Sequence, residues 1–508
     1  MIENKGVAGG MLAKVNTISH LGLDSQLIEI EADMSNGLPG FIIVGLANKA
    51  VDEAKERVRS AIKNSNLNLP PRRITLNLAP ADIPKNGSSF DLAMAVSLLL
   101  ASKQIGSISP KTAFYGELGL DGTTRPVLGA IAAAQACVEH GLDELYVTSE
   151  VASQAAMVEG IMVYPVQSLF ELYRHLIGEK KIIPLAPGQL VQAEHEAEVD
   201  LSEVYGQAQA KRAIEIAASG NHNILLSGPP GSGKSMLAKA LVGLLPAPSY
   251  EESMEITKIH SLAGQVTNTI ISTRPYRNPH HTASNIALIG GGQWPKPGEI
   301  SLAHRGVLFL DELPEFQRNV LEVLRQPLEE GRVTIARATT SQSYPARFLL
   351  VAAQNPCPCG YAGDQDSSCT CTPNQVQRYS HKVSGPLLDR MDLVVNVERV
   401  KKSQLINAKP AEPTKKVKKR VLLARSRQIQ RFKNEGINSN NEMNNKQIQK
   451  YCELNDQARD LLDKAITNLK LSARAYMRVL KVSRTIADLE DSQQISTGHI
   501  AEALQYRI

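Results

Sequence analysis

Apolar and polar positions along the chain switch between a two-residue and a three-to-four-residue period, and the switches mark its elements. Gln26-Leu27-Ile28-Glu29-Ile30-Glu31 alternates as a half-buried strand does. Phe41–Val44 and Ile74–Leu78 read as two further strands, with helical periodicity from Lys49 to Lys63 between them. Asn86-Gly87-Ser88-Ser89 opens a second helix over Phe90–Ser102. Strands alternating with helices predict an α/β or α+β domain that ends near Leu176. Later come three short, continuously apolar runs of the kind that form buried strands: Asn223–Leu226, Val307–Leu310 and Phe348–Ala353. Residues 417–508 are helical in pattern, with a polar break at Asn438–Asn445.

These patterns divide the chain. Residues 1–10 read as a tail and 11–176 as the α/β domain. Residues 177–200 read as a linker, with Pro184 and Pro187 before a polar, acidic run. A nucleotide-binding core spans 201–400, a basic linker 401–416 and a helical region 417–508. From Lys401 to Arg420 there are eight basic residues and one acid, Glu412. At 508 residues, two to four domains are expected at roughly 150 residues each. The net charge of +5 is small, so any nucleic-acid surface must be local. The longest apolar run, Leu92–Ala101, is too short to cross a bilayer. No charged-then-apolar leader opens the chain, which places it in the cytoplasm, away from membranes.

Chemistry enters at Gly228-Pro229-Pro230-Gly231-Ser232-Gly233-Lys234-Ser235, which fits G-x-x-x-x-G-K-[ST] at every fixed position. An apolar run precedes it, and Met236–Leu241 reads as a helix after it, the setting this motif needs. The glycines let backbone N–H groups turn toward phosphate oxygens, and the helix N-terminus adds partial positive charge. Lys234 then reaches the β- and γ-phosphates of ATP, and the Ser235 hydroxyl holds Mg2+. Asp311 and Glu312 end the run Val307–Leu310. Parallel sheets gather ligands at the carboxyl ends of their strands, which assigns Asp311 to Mg2+ and Glu312 to the attacking water. Asn355 follows the third run, in position to orient that water. Arg390, in Ser384–Asp392, could serve a γ-phosphate in trans, although an arginine there is more often a salt-bridge partner. Arg474 follows Ser472, a candidate helix cap. A cation in a first turn opposes the helix dipole, which suits an arginine facing a triphosphate; a plain surface arginine is the alternative.

This order of motifs resembles an AAA+ ATPase core with a C-terminal helical lid. Inserts narrow the resemblance. Tyr276–Asn285, Gly290-Gly291-Gly292 and Pro297–Gly306 resemble a helix-2 insert, and Gly331–Ala338 returning at Ser343–Phe348 resembles a pre-sensor hairpin. Both belong to the branch of MCM helicases and the magnesium-chelatase ATPase subunit. With Asn77–Asp82, Asn278–Ser284 and Asn355-Pro356-Cys357-Pro358-Cys359-Gly360, the chain from Met11 on resembles the ComM/YifB family. The resemblance implies a homo-hexameric, ATP-driven helicase acting on single-stranded and branched DNA, which migrates branches of recombination intermediates in natural transformation. It makes Arg390 the arginine finger. It also places Arg337 where a basic hairpin residue enters the pore and follows phosphates without reading bases; packing within its own subunit is the other reading. His280, His281 and Trp294 receive no role.

Cys357/Cys359 and Cys369/Cys371 form two C-x-C pairs nine residues apart. Four thiolates so close fit a closed, structural Zn2+ site. C-x-C is less usual than C-x-x-C, so an iron–sulfur cluster or redox pairs stay as alternatives. Pro84–Asp91 resembles the segment that carries the nucleophilic serine of Lon proteases, with Ser89 at that position. Ile131 stands where those proteases carry a lysine. Without an amine the serine has no activator, so the domain reads as Lon-like and non-proteolytic. The expected fold class is α/β: a Lon-like domain, an AAA+ P-loop core with both inserts, and an all-helical lid. Two rival functions stand beside the DNA motor: a chelatase-type motor that remodels a protein partner, and a Lon-type peptidase.

Overall fold

A computed structural model of the chain describes residues 12–45, 49–83, 85, 87–186, 198–265, 270–292, 296–336, 341–364, 366–400 and 411–507. The described residues fall into two compact units. The first draws on Met1–Val191, Tyr250–Ile271 and Ala336–Ser343, and the second on Gln192–Ser249, Ser272–Ile335 and Tyr344–Ile508.

The first unit is built on a seven-stranded mixed sheet. Its order is Gly40–Val44, Arg73–Ala79, Asp24–Ser35, Ala13–Leu21, Thr112–Tyr115, Glu144–Thr148 and Met162–Val166. Alternation in Asp24–Ser35 sends Ile28, Ile30 and Ala32 into the core, while the residues between them stay half-exposed. The longest apolar run of the sequence is the helix Asp91–Ala101, buried along nearly its whole length. At its start the buried Asp91 carboxylate accepts from Arg57 at 2.7 and 3.0 Å. No helix among the described residues is long and apolar enough to cross a membrane.

Two expectations about this unit change. The linker expected over 177–200 is docked at its start: Ile182 is buried in the core and Leu185 bridges Val163. Residues 187–197 lie outside the described residues. The helix Tyr250–Leu262, expected within the nucleotide-binding core, belongs to the first unit. Its Met254 packs on Ile131 and Met157, the Tyr250 hydroxyl donates to the Met157 carbonyl, and Lys258 donates to Gln135. The Ser261 hydroxyl accepts from the Gly129 N–H at 2.9 Å.

The second unit holds a five-stranded sheet in the order Tyr276–Arg277, Val307–Leu310, Leu349–Gln354, Ile224–Ser227, Leu393–Asn396, all parallel. The C-terminal helices share one apolar core with this sheet, from Leu201 through Val351 and Val421 to Tyr506. Of the basic linker expected over 401–416, residues 401–410 lie outside the described residues, and from Thr414 it already belongs to the helix Thr414–Arg431. Val417, Val421, Ala424 and Gln428 form its buried stripe, and Arg420 pairs with Glu412 and Glu215 at 2.8 and 2.6 Å.

The polar break expected at Asn438–Asn445 is a buried hydrogen-bonded knot. Asn440 is fully buried and donates to Asp488 and Thr485 at 2.8 and 3.0 Å. The buried Asp488 carboxylate also takes Arg431 and Arg484. Removing one partner of a buried ion pair leaves an uncompensated charge, at a cost of about 3–5 kcal/mol. Asp488→Ala leaves both guanidinium groups without their anion and should destabilise the second unit by that order in denaturant unfolding of the full chain. A loss below about 1 kcal/mol, typical of an exposed pair, would show that the knot contributes little.

Candidate active site

The parallel registers bring three strand ends together. Ser227 pairs with Gln354, and Leu310 pairs with Ala352, two residues before Gln354. The next residues are therefore the P-loop from Gly228, then Asp311-Glu312, then Asn355. Gly228 admits no side chain, because a Cβ there would strike the Val397 carbonyl. Gly231 and Gly233 have φ of 74° and 91°, with nothing within 4 Å of where a Cβ would lie. The loop thus turns an open backbone face outward, and the helix Lys234–Leu244 begins directly behind it.

Lys234 is nearly buried, and its ammonium donates to the carbonyls of Gly228 and Pro229 at 2.7 and 2.9 Å and to Asn355 Oδ1 at 3.2 Å. Burial lowers its pKa below the ordinary value, against the pull of Asp311 and Glu312. The Ser235 hydroxyl donates to Asp311 Oδ2 at 2.9 Å. That hydroxyl–carboxylate pair beside an ammonium is a donor set suited to Mg2+ with phosphate. The buried Ser232 hydroxyl has no hydrogen-bond partner among the described residues, which also suits an arriving acceptor.

Glu312 occupies the left-handed region at φ 52°. A non-glycine residue held there stores strain of about 1–3 kcal/mol. Its carboxylate meets His281 Nδ1 at 3.2 Å. The His281 ring lies 4.1 Å from that of His280, tilted by 34°, and meets Phe316 edge-on at 6.4 Å. The sequence reading gave His281 no role, yet strand adjacency points to it. Tyr276–Arg277 pairs with Val307–Leu308, and His281 and Glu312 lie in the segments that follow these two neighbouring strands.

The two arginines expected at the phosphates meet on one acid. Arg474 lies in the first turn of Ala473–Leu489, capped by Ser472 as expected, and donates to Glu329 Oε1 at 2.6 Å. Arg390 donates to the same oxygen and to the Pro386 carbonyl. Arg474 holds the Glu329 carboxyl below its usual range. The ribbon Arg332–Ala336 and Ser341–Pro345 is present, but Arg337 lies outside the described residues, as does Trp294.

The four cysteines converge, with ligand atoms all within 4.8 Å of one another. Cys357 lies 3.3 Å from Cys359 and 3.7 Å from Cys369. Sulfurs tetrahedral about zinc at about 2.3 Å stand about 3.8 Å apart, so the set fits that ion, and none forms a disulfide. Backbone N–H groups of Tyr361 and then Thr370 pull the Cys359 thiol down to about 5. This loop leans on the P-loop. Gly360, at φ 88°, presses against the Pro230 ring. Arg399 lies over Tyr361 at 5.1 Å, pairs with Asp364 at 3.4 Å and donates to the Pro230 carbonyl at 3.5 Å.

Comparison with known proteins agrees with this geometry. Residues 200–405 match the family model described as magnesium chelatase, subunit ChlI; 30–151 match subunit ChlI of Mg-chelatase; 411–507 match the ChlI C-terminal model. Competence protein ComM of Haemophilus influenzae is 45% identical over 98% of this chain and 97% of its own length. YifB of Salmonella typhimurium is 44% identical with the same coverage. The magnesium-chelatase 38 kDa subunit of Rhodobacter capsulatus is 26% identical over 41% of this chain and 61% of its own. Identity at that level along nearly the whole length, on a P-loop sheet followed by helices, means that the chain belongs to the ComM/YifB family of magnesium-chelatase-like AAA+ ATPases.

Proposed function

We propose that the chain is a homo-hexameric, ATP-driven DNA translocase that migrates branches of recombination intermediates. The observation that carries this is the meeting of Lys234, Ser235, Asp311, Glu312 and Asn355 at one row of strand ends, in a chain 45% identical to a protein named for competence. In this reading Lys234 neutralises phosphate charge, and Ser235 and Asp311 hold Mg2+. Bound Mg2+ supplies further neutralisation of the transferring phosphoryl group. Glu312, held by His281, takes the proton of the attacking water, which Asn355 orients. Arg390 and Arg474 complete the site from a neighbouring copy, and Arg337 follows DNA phosphates in the pore.

The domains keep their proposed roles, with 201–400, less the stretches Tyr250–Ile271 and Ala336–Ser343 that fall in the first unit, as the AAA+ core and 417–508 as its lid. The N-terminal unit is Lon-like and non-proteolytic: buried Ile131 offers no base for a serine. The cysteines hold one structural Zn2+, since four protein ligands leave no open position, and their loop braces Pro230. The three chelatase-subunit matches favour one second reading, a motor that remodels a protein partner.

A labelled four-way junction tests the main reading. Wild-type protein with ATP should convert it to migrated product, and DNA should stimulate hydrolysis. Glu312→Gln should still bind ATP but lose about 10²–10⁴-fold in turnover, the usual range for removing a general base. Hydrolysis indifferent to DNA, with no junction product, would hand the function to the protein-remodelling reading.

Elemental analysis should find one zinc per chain. Iron, or no metal, would overturn the zinc assignment. Gly360→Ala places a Cβ 2.5 Å from the Pro230 ring in a strained backbone. It should keep its zinc and weaken ATP binding about tenfold, or about 1.4 kcal/mol, as read by a fluorescent ATP analogue. Unchanged affinity would show that the cysteine loop does not brace the P-loop.

A further inference from the structure

Arg390 and Arg474 come from separate segments, and their Nη2 atoms converge on one oxygen of Glu329. Glu329 arrives from a third segment, the end of the helix Arg325–Glu330. The three side chains differ in freedom. Arg390 is 8% exposed and anchored to the Pro386 carbonyl, whereas Arg474 and Glu329 are 50% and 46% exposed. Two guanidinium cations this close repel each other, so a shared anion is what makes their approach favourable. Arg478, one turn beyond Arg474, adds a third cation with Asp389 at 3.7 Å. Asp392 and Asp389 offset Arg478, so Glu329 is the one carboxylate that Arg390 and Arg474 share. Arg474 is half-exposed, so a second anion can reach the pair while Glu329 keeps the two groups together.

We propose that Glu329 is a positioning residue that holds Arg390 and Arg474 side by side as one receptor for a phosphate of ATP bound by a neighbouring copy of the chain. The inference rests on the reading of Arg390 as acting across a subunit interface. Glu329 touches no phosphate itself; it sets the spacing and direction of the two groups that do. A purely local surface pair would contribute little, and its loss would leave turnover alone.

The full-length chain tests this by kinetics and by subunit mixing. Glu329→Gln should lower kcat about tenfold and change KM for ATP by less than about twofold, the signature of an interaction made in the transition state. Glu329→Asp should recover part of that loss. Thermal unfolding should match wild type, because the residue is half-exposed. Co-refolded with Lys234→Ala, Glu329→Gln should regain ATPase, since its intact pocket then faces an intact Glu329–arginine set on the partner. Arg390→Ala mixed with Lys234→Ala is the control for the underlying reading. If the control regains activity and the Glu329→Gln mixture does not, Glu329 is no part of the receptor and the proposal fails alone. If neither regains activity, action across the interface fails and the proposal with it. Wild-type kcat in Glu329→Gln also overturns it.

Discussion

Every candidate phosphate contact around the P-loop depends on the parallel pairing of Ile224–Ser227 with Leu349–Gln354 and of that strand with Val307–Leu310. A one-residue slip in either ladder would send every side chain of a strand to the opposite face. The strands resist such a slip because both faces are buried. Val307 and Phe309 pack into the same core as Ile224, Val351 and Leu393, while Leu308 and Leu310 are buried on the other side. Apolar packing unrelated to catalysis therefore fixes where Asp311 and Asn355 emerge. The P-loop inherits that precision through Gly228, whose N–H donates to the Gln354 carbonyl at 3.2 Å.

Around this row the protein arranges its cations so that each has an acceptor. Lys234 is satisfied by loop carbonyls and Asn355, and Arg390 and Arg474 by Glu329. A buried or half-buried cation without an acceptor is expensive, so these local partners keep the charges in place. The cysteine loop adds a mechanical constraint from outside the sheet, pressing Gly360 on Pro230 and tying Arg399 to the Pro230 carbonyl. One edge of the P-loop is thus held by a strand end and the other by a loop that four thiolates can staple.

Local patterns made much of this legible. Continuous apolar runs located the three functional strands, and the glycine–lysine motif named the loop between strand and helix. The misreadings came where partners are distant. Tyr250–Leu262 has a buried face whichever unit it joins, so its packing on Ile131 is invisible in its own sequence. The basic linker expected over 401–416 carries lysines and prolines, yet its last residues, from Thr414, already open the helix whose stripe of Val417, Val421 and Ala424 was legible as helical. The break expected at Asn438–Asn445 does interrupt the helices, between Thr414–Arg431 and Asn445–Tyr451, but composition cannot reveal that Asp488 and Thr485 hold Asn440 inside it. Glu329 was missed because its arginines lie 61 and 145 residues away.

The pair Asp311-Glu312 shows how backbone geometry can divide two adjacent, chemically similar groups. In a continuing strand, successive side chains alternate between opposite faces, and both acids would follow that pleat. Here the strand stops at Leu310, Glu312 takes a left-handed backbone, and a tight turn over Leu313–Glu315 follows with Pro314 in its first positions. Asp311 stays at the strand end, with one carboxylate oxygen on Ser235 and the other on the Glu312 N–H. Glu312 is swung toward the insert, where His281 meets it. One acid is tied to the P-loop and the other to a neighbouring strand's extension. Giving two adjacent acids different partners therefore needs no difference in residue chemistry, only one strained φ at the junction.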